Sequence, residues 1–156
     1  MTQRTDKANW FLDMALRCAE QGTCRRRNYG TVLVDKRGAV ISTGYTGAPK
    51  GIPHCVTCLR EKYKVPSGQR YELCLSVHGE MNALIQAGKA ARGSTLYLAG
   101  FQVDTGAIVG NMPCFLCARM IINAGVEKVC VRYPNDTMKW FTPLEIYEAR
   151  LAEFGE

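Results

Sequence analysis

Two short runs of chemically versatile residues stand out in this chain: His78-Gly79-Glu80, and a Cys-x-x-Cys pair formed by Cys114 and Cys117. One imidazole and two thiolates supply three protein ligands for a tetrahedral zinc ion, which leaves a fourth position for a water whose pKa the metal lowers to roughly 7. Glu80 lies two residues from the histidine and can carry protons beside that water. The sequence therefore predicts a catalytic zinc site with ligands His78, Cys114 and Cys117.

The two runs carry more weight together than either does alone. A single Cys-x-x-Cys also occurs in redox pairs and structural zinc sites, and an isolated His-x-Glu is common. The chain between His78 and Cys114 leaves room for helix, strand and loop, so each run can begin its own helix. Because the positive end of a helix stabilises thiolate and hydroxide, we expect both runs at helix N-termini.

This pair of motifs is typical of zinc-dependent base deaminases. In that chemistry an activated water attacks the ring carbon that carries an exocyclic amine, while a glutamate outside the metal shell shuttles protons. Glu80 would act as acid and base in turn. A different class of protein remains open: a non-catalytic zinc-binding protein in which a further cysteine completes a structural zinc site. A closed site would not need Glu80, so the sequence favours an enzyme.

Length and composition predict one domain over residues 1–156, since 156 residues with 47% hydrophobic content suit a single core. The net charge of +6 indicates an anionic partner. Part of this charge lies in Arg25–Arg27, which is interpreted either as a phosphate contact or as a solvated loop. Longer basic stripes interleaved with aromatic residues are typical of nucleic-acid binders. A small-molecule nucleotide partner is therefore favoured over a nucleic acid polymer.

The compartment follows from hydropathy and cysteine usage. No stretch approaches the ~20 apolar residues of a membrane span, so no membrane association is predicted. The eight cysteines are explained better by metal binding and packing than by disulfides, because the cytosol keeps thiols reduced. We expect a cytoplasmic protein.

Hydrophobic periodicity places these motifs on alternating helices and strands. The predicted helices cover 7–20, 78–90, 114–124 and a last segment from a capping box at Thr142 to about residue 154; the predicted strands cover 30–34, 39–45, 95–99 and 126–132. The first two strands form a hairpin around the turn Asp35–Gly38. The sum is a three-layer α/β domain with a mixed sheet.

Further motifs give the chain a family resemblance. They are Gly30, Ile41–Tyr45, Pro49, Gly51, His54-Cys55, Tyr71–Cys74, His78–Ala83, Pro113–Ala118 and Ile121–Val126. With these motifs the chain, from about Cys24 to Tyr133, resembles the cytidine deaminase-like fold and, within it, the deoxycytidylate (dCMP) deaminases. The resemblance implies a three-layer α/β/α fold, zinc on His78, Cys114 and Cys117, and Glu80 as general acid and base. It also implies dCMP to dUMP conversion with release of ammonia, by a homo-oligomer that in some members is a hexamer.

The same resemblance suggests substrate contacts. Arg27 and Tyr133 fall near positions that approach the substrate phosphate in that family. Thr46 stands where the family usually has an asparagine that addresses the sugar, and Gly79 stands where it usually has an alanine close to the metal. These departures leave open another aminated base as substrate, such as a cytosine nucleoside, a modified nucleotide or a biosynthetic intermediate. An insertion over residues 100–112 is expected as a polar loop that either walls the pocket or faces solvent.

Four further cysteines lie in the loop-rich half of the chain: Cys24, Cys55, Cys58 and Cys74. Four thiolates are a complete ligand set for a structural zinc ion, and members of the resembling family often carry such a second metal here. A zinc ion would also hold the long segment 46–77 in shape. The alternative is free, partly buried thiols, and His54 can replace one cysteine. Cys18 and Cys130 lie on apolar periodic faces and are expected to pack in the core.

Overall fold

The computed structural model describes residues 3–156, which form a five-stranded mixed sheet covered by helices on both faces. The helices are α1 (Lys7–Ala19), α2 (Leu59–Lys62), α3 (Gly79–Ala87), α4 (Phe115–Asn123) and α5 (Pro143–Ala152). The strands are β1 (Arg27–Val34), β2 (Val40–Tyr45), β3 (Thr95–Gln102), β4 (Lys128–Tyr133) and β5 (Thr137–Phe141). Short 3-10 turns cover Tyr71–Leu73 and Gly88–Ala91. The predicted three-layer α/β/α fold is confirmed.

The strand order across the sheet is β2-β1-β3-β4-β5. The β3–β4 pair is parallel, and the other three pairs are antiparallel. The parallel pair requires a crossover connection, and α4 supplies it. This crossover brings the segment before α4 to the same side of the sheet as α3, which follows the long loop after β2.

One face of the sheet is covered by α1. Its apolar side chains recur at helical spacing, and Phe11, Leu12 and Ala15 are buried against strand residues that include Val32 and Tyr97. Asp6 is the N-cap of this helix, and its carboxylate accepts a hydrogen bond from the Asn9 backbone amide. Cys130 lies fully buried in this layer, which agrees with the packing role expected from its periodicity.

The opposite face is covered by α3, α4 and α5. Their contacts with the sheet form the larger core cluster, in which Ala83 and Leu84 of α3 and Ile121 of α4 meet Leu96 and Val129. Helix α5 is held at its start by the capping box predicted at Thr142, because the Thr142 and Glu145 side chains each accept a hydrogen bond from the other's backbone amide.

Helix α3 lies directly against β2 at Gly44. A Cβ atom at this glycine would lie 2.3 Å from the Gly79 carbonyl oxygen and 2.5 Å from the Ala83 nitrogen. The Ser42 hydroxyl adds a hydrogen bond of 2.8 Å to the Ala83 carbonyl. The position of α3 on the sheet is therefore fixed by backbone-to-backbone contact.

The sequence did not predict β5. This strand is mostly exposed at the sheet edge, so it lacks the apolar run that indicates a buried strand. A usable signal was Asn135-Asp136, because both residues adopt positive φ, as in the tight turns that join antiparallel strands.

Strand β3 is longer than predicted. It continues to Gln102, and an isolated bridge then pairs Phe101 with Ile108. The first three residues of the expected insertion loop, 100–102, are therefore strand, and the chain turns back beside them. Among the described residues, no helix combines the length and the apolar character needed to cross a bilayer.

Candidate active site

Two helix N-termini meet at one end of the sheet and carry the predicted motifs. His78 is the N-cap of α3, and Glu80 lies in the first turn of that helix. Cys114 is the N-cap of α4, and Cys117 lies in its first turn. Neither residue makes a side-chain capping hydrogen bond, so the imidazole and the thiol remain available to bind a metal. The expectation that both motifs begin helices is confirmed.

The three predicted ligand side chains converge. His78 Nδ1 lies 3.5 Å from Cys114 Sγ and 3.4 Å from Cys117 Sγ. Tetrahedral zinc with ordinary bond lengths would separate a bound nitrogen from a bound sulfur by about 3.6 Å. All three ligand atoms lie within 4.8 Å of one another. The donor set and its spacing therefore fit a zinc ion.

The polypeptide favours negative charge at Cys114. Its pKa is lowered to about 4, chiefly by a hydrogen bond from Cys117 and then by His78, against the effect of burial. Burial lowers the pKa of His78, but hydrogen bonds with Cys114 and Cys74 outweigh it and raise the value to about 10. A low thiol pKa suits a metal ligand, because the thiolate is the form that binds.

Glu80 is buried, with 5% of its surface exposed. Burial is the main reason why its pKa is raised, and the charge of His78 opposes that shift. The carboxyl group lies beside the metal ligands and lines the same cavity. A buried carboxyl that binds and releases a proton at this position suits a general acid and base.

The ligand set opens into a cavity of about 390 Å³. Its lining includes His78, Glu80 and Cys114, and four arginine side chains, Arg26, Arg27, Arg60 and Arg150. A volume of this order accommodates a small organic molecule. The arginines favour an anionic one.

Arg27 and Thr46, two of the predicted substrate contacts, line this cavity. Arg27 Nε donates to Gln102 Oε1 at 3.0 Å, which holds the guanidinium against the start of the insertion. The Thr46 hydroxyl accepts a hydrogen bond from the Tyr29 amide at 3.2 Å. Thr46 therefore fixes the loop after β2 onto β1 as well as lining the site.

Gly79 and Tyr133, the other two predicted contacts, are not among the cavity-lining residues. A Cβ atom at Gly79 would point to β1, 3.0 Å from the Tyr29 carbonyl oxygen and 3.2 Å from Thr31 Oγ1. The missing methyl group therefore makes room for packing between α3 and β1. Tyr133 packs against Gly110 and under the Lys139 ammonium group, which lies 4.3 Å from the ring centroid.

The four cysteines of the expected second zinc site are half-buried and free of disulfides. Cys24, Cys58 and Cys74 line the cavity. Cys74 lies beside His78, and a hydrogen bond with that imidazole is the main reason why the pKa of Cys74 is lowered. Within residues 3–156, only His78, Cys114 and Cys117 bring three ligand atoms within 4.8 Å of one another.

The sequence predicted no role in the cavity for Tyr71, Arg60 or Arg150, although all three line it. Tyr71 packs edge-on against His78 with ring centroids 5.2 Å apart, and the Arg60 guanidinium lies 4.4 Å over the Tyr71 ring. Arg60 is itself held by the carbonyl oxygens of Gln69 and Pro66. The third is Arg150, in α5. Arg60 and Tyr71 make their contacts within one loop-rich segment, and Arg150 comes from the last helix, so hydrophobic periodicity carried no signal for them.

The insertion contributes to the cavity wall through Asn111 and Met112. Two other polar residues of the insertion, Gln102 and Asp104, lie in different environments. Gln102 is half-buried in β3, whereas Asp104 is exposed at the turn. One part of the insertion therefore walls the site and another faces solvent.

The fold and the site together define a class: two helix N-termini on a mixed sheet present a His/Cys/Cys set beside a buried glutamate, the arrangement of the cytidine deaminase-like proteins. The model for the "cytidine and deoxycytidylate deaminase zinc-binding region" matches residues 5–133. The chain belongs to this family.

Individual relatives agree with this assignment. Deoxycytidylate deaminase of Mycobacterium phage D29 is 34% identical over 140 residues, which cover 86% of this chain and 98% of the phage protein. Deoxycytidylate deaminase of Schizosaccharomyces pombe is 33% identical over 123 residues; the match covers 78% of this chain but only 35% of the yeast protein. The crystal structure of dCMP deaminase from the cyanophage S-TIM5 in complex with dCMP and dUMP superposes with a TM-score of 0.62 at 21% identity, over 96% of this chain and 95% of that one. This likeness shows the shared fold.

Proposed function

We propose that this protein is a zinc-dependent hydrolytic deaminase that converts dCMP to dUMP and ammonia. The observation that carries the proposal is the convergence of His78, Cys114 and Cys117 beside the buried Glu80, at the base of a cavity with arginines on its wall. The phage D29 relative, which this chain covers almost end to end, is a deoxycytidylate deaminase.

The reaction replaces the exocyclic amine of the base by a carbonyl oxygen taken from water. A zinc ion bound by His78, Cys114 and Cys117 would supply a nucleophile at neutral pH by acidifying water. Glu80 accepts a proton from the attacking water and passes it to the ring nitrogen next to the reacting carbon. It then transfers the second proton to the amine, which leaves as ammonia. Burial raises the pKa of Glu80 above that of an ordinary glutamate, which favours the protonated form that this role requires in part of the cycle.

The substrate phosphate fits the basic side of the cavity. Arg26 and Arg27 precede and begin β1, and both line the cavity with Arg60. Arg26 is paired with Glu61 at 3.0 Å, whereas Arg27 has a neutral partner in Gln102. Arg27 therefore keeps its full charge available for an anion, and we assign it the phosphate contact.

The test is ammonia release by the zinc-loaded protein from dCMP, dCTP, CMP, deoxycytidine, cytosine and guanine. We expect activity with dCMP to exceed that with every other compound. Activity confined to a different compound would move the enzyme to another aminated base, and silence across the panel with zinc bound would contradict a deaminase of these substrates. The first variant to test would then be Thr46→Asn, which restores the residue usual in the family at that position.

Arg27→Ala separates phosphate recognition from chemistry. We expect kcat/KM for dCMP to fall by roughly 10- to 100-fold, the value of one or two charge-assisted hydrogen bonds, while kcat/KM for deoxycytidine stays within threefold. An equal loss for both compounds would contradict the phosphate assignment. Arg17→Ala, which removes an exposed arginine on α1 far from the cavity, is the control.

Two further properties complete the proposal. We expect a second, structural zinc ion on Cys24, Cys55, Cys58 and Cys74. Metal analysis should therefore give close to two zinc ions per chain, and a value of one zinc ion per chain would contradict this expectation. We also expect a cytoplasmic homo-oligomer, such as a hexamer, in which apolar side chains such as Ile85, 68% exposed in the single chain, are covered. Light scattering after size exclusion tests this, and a monomer mass would contradict it.

A further inference from the structure

Arg150 connects α5 to the segment that leads into the zinc ligand Cys114. Its Nε donates to the Pro113 carbonyl oxygen at 2.9 Å. One terminal nitrogen donates to the Met112 carbonyl oxygen at 2.6 Å and to Asn111 Oδ1 at 3.1 Å. Only 14% of the Arg150 side chain is exposed, although it is a charged group near the end of the chain. The guanidinium therefore donates one hydrogen bond to each of three consecutive residues.

These hydrogen bonds restrain the backbone rotation that orients Cys114. The Pro113 carbonyl belongs to the planar peptide group that ends at the Cys114 nitrogen, so fixing this oxygen fixes that plane. The pyrrolidine ring already restricts φ of Pro113, and its side chain is fully buried. On the other side, Cys114 is held by α4, whose first hydrogen bond runs from the Ala118 amide to the Cys114 carbonyl at 2.8 Å. Neither the ring nor the helix restricts the ψ rotation of Pro113. The hydrogen bond from Arg150 to the Pro113 carbonyl supplies that restraint.

The segment needs such a restraint because little regular structure precedes it. After β3 ends at Gln102, the chain turns back and runs to α4 with only an isolated bridge at Ile108. Helix α5 and the residues after it also cover Phe115, which follows the ligand: its ring lies 5.3 Å from that of Tyr147 and 5.6 Å from that of Phe154, between centroids. The family match ends at residue 133, so α5 lies outside the region that the family model describes.

We propose that Arg150 is a positioning residue for the catalytic metal site: it holds residues 111–113 so that Cys114 presents its sulfur to the ion shared with His78 and Cys117. This rests on the proposed function only in that the metal is taken to be the catalytic zinc. Residues that orient a metal ligand without touching the metal typically change its affinity by 10- to 100-fold.

The test is Arg150→Ala, with Arg17→Ala as the matched control. Arg17 also makes an exposed pair with a glutamate three residues later, at 3.0 Å against 2.8 Å for Arg150 and Glu153, but it contacts no part of the site. In a chelator competition with Arg150→Ala, we expect one zinc ion per chain, the catalytic one, to bind at least tenfold more weakly. We also expect the visible cobalt(II) spectrum, which reports the ligand geometry, to change. The control should match the wild type in both.

A merely structural role would lower the thermal stability of the metal-free protein without changing the cobalt(II) spectrum, and that result would overturn the proposal. If Arg150→Ala does not fold, Asn111→Ala removes one of the three contacts and leaves the guanidinium in place. We then expect zinc affinity to fall about threefold, and an unchanged affinity would overturn the proposal. Failure of the proposed function is distinguishable, because the wild type would then bind zinc and release no ammonia.

Discussion

Gly44→Ala tests whether backbone packing of α3 on β2 sets the position of the catalytic residues. The added methyl carbon would lie 2.3 Å from the Gly79 carbonyl oxygen, whereas ordinary van der Waals contact begins near 3.4 Å. Helix α3 and strand β2 must therefore separate by about 1 Å, because the contacting atoms belong to the backbone and cannot rotate away. His78 and Glu80, at the start of that helix, would move with it.

The expected magnitude follows from this displacement. Overpacking of a closely packed site typically costs about 1–3 kcal/mol of unfolding free energy, and for a domain of this size each kcal/mol lowers Tm by about 2–4 °C. A displacement of about 1 Å at reacting groups can reduce turnover by about 100-fold. We therefore expect Gly44→Ala to lower Tm by several degrees and kcat/KM for dCMP by a much larger factor than the stability change explains.

The assay compares differential scanning calorimetry with steady-state ammonia release. Lys89→Ala is the matched control, because it alters an exposed side chain in the short turn that directly follows the same helix. We expect it to leave Tm within about 2 °C, as is usual for surface substitutions. A Gly44→Ala protein with wild-type Tm and activity within twofold of the wild type would refute the packing account.

Two further predictions concern Gly79 and Cys130. Gly79→Ala should cost about 1 kcal/mol of stability, because the new methyl would lie 3.0 Å from the Tyr29 carbonyl oxygen, yet leave KM for dCMP within twofold; a tenfold change in KM with unchanged Tm would show that Gly79 shapes the pocket. Cys130, whose pKa burial raises to about 12, should react with iodoacetamide at pH 8 on the order of 1,000 times more slowly than an ordinary thiol. Because the folded state favours its neutral form, the stability that Cys130 contributes should be lost as pH rises from 9 to 12; rapid alkylation of the native protein would contradict this.

The metal site could be predicted from sequence because its chemistry is local. His78 and Glu80 share one helix turn, as do Cys114 and Cys117, and each pair needs only a helix start to be presented together. The helices and central strands followed from hydrophobic period for the same reason: each buries one continuous face. The mixed sheet then left few ways to bring the two helix ends together.

The rest depended on contacts that no local pattern encodes. Arg60 and Arg150 line the site because the short helix α2 and the last helix fold over it, and both side chains are held by backbone carbonyl groups, which any residue offers. Gly79 was interpreted as a change in the pocket, since a sequence does not show toward which side a Cβ would point. The edge strand β5 was missed because its residues are too exposed to give an apolar run.

Glu80→Gln tests the central claim most directly. Gln has nearly the same shape as Glu but cannot accept and donate a proton in turn, and Glu80 is not one of the three converging ligands. We expect zinc content and Tm close to those of the wild type, while ammonia release from dCMP falls by at least about 100-fold, the contribution typical of a general acid and base. Turnover near the wild-type rate with zinc bound would contradict the account.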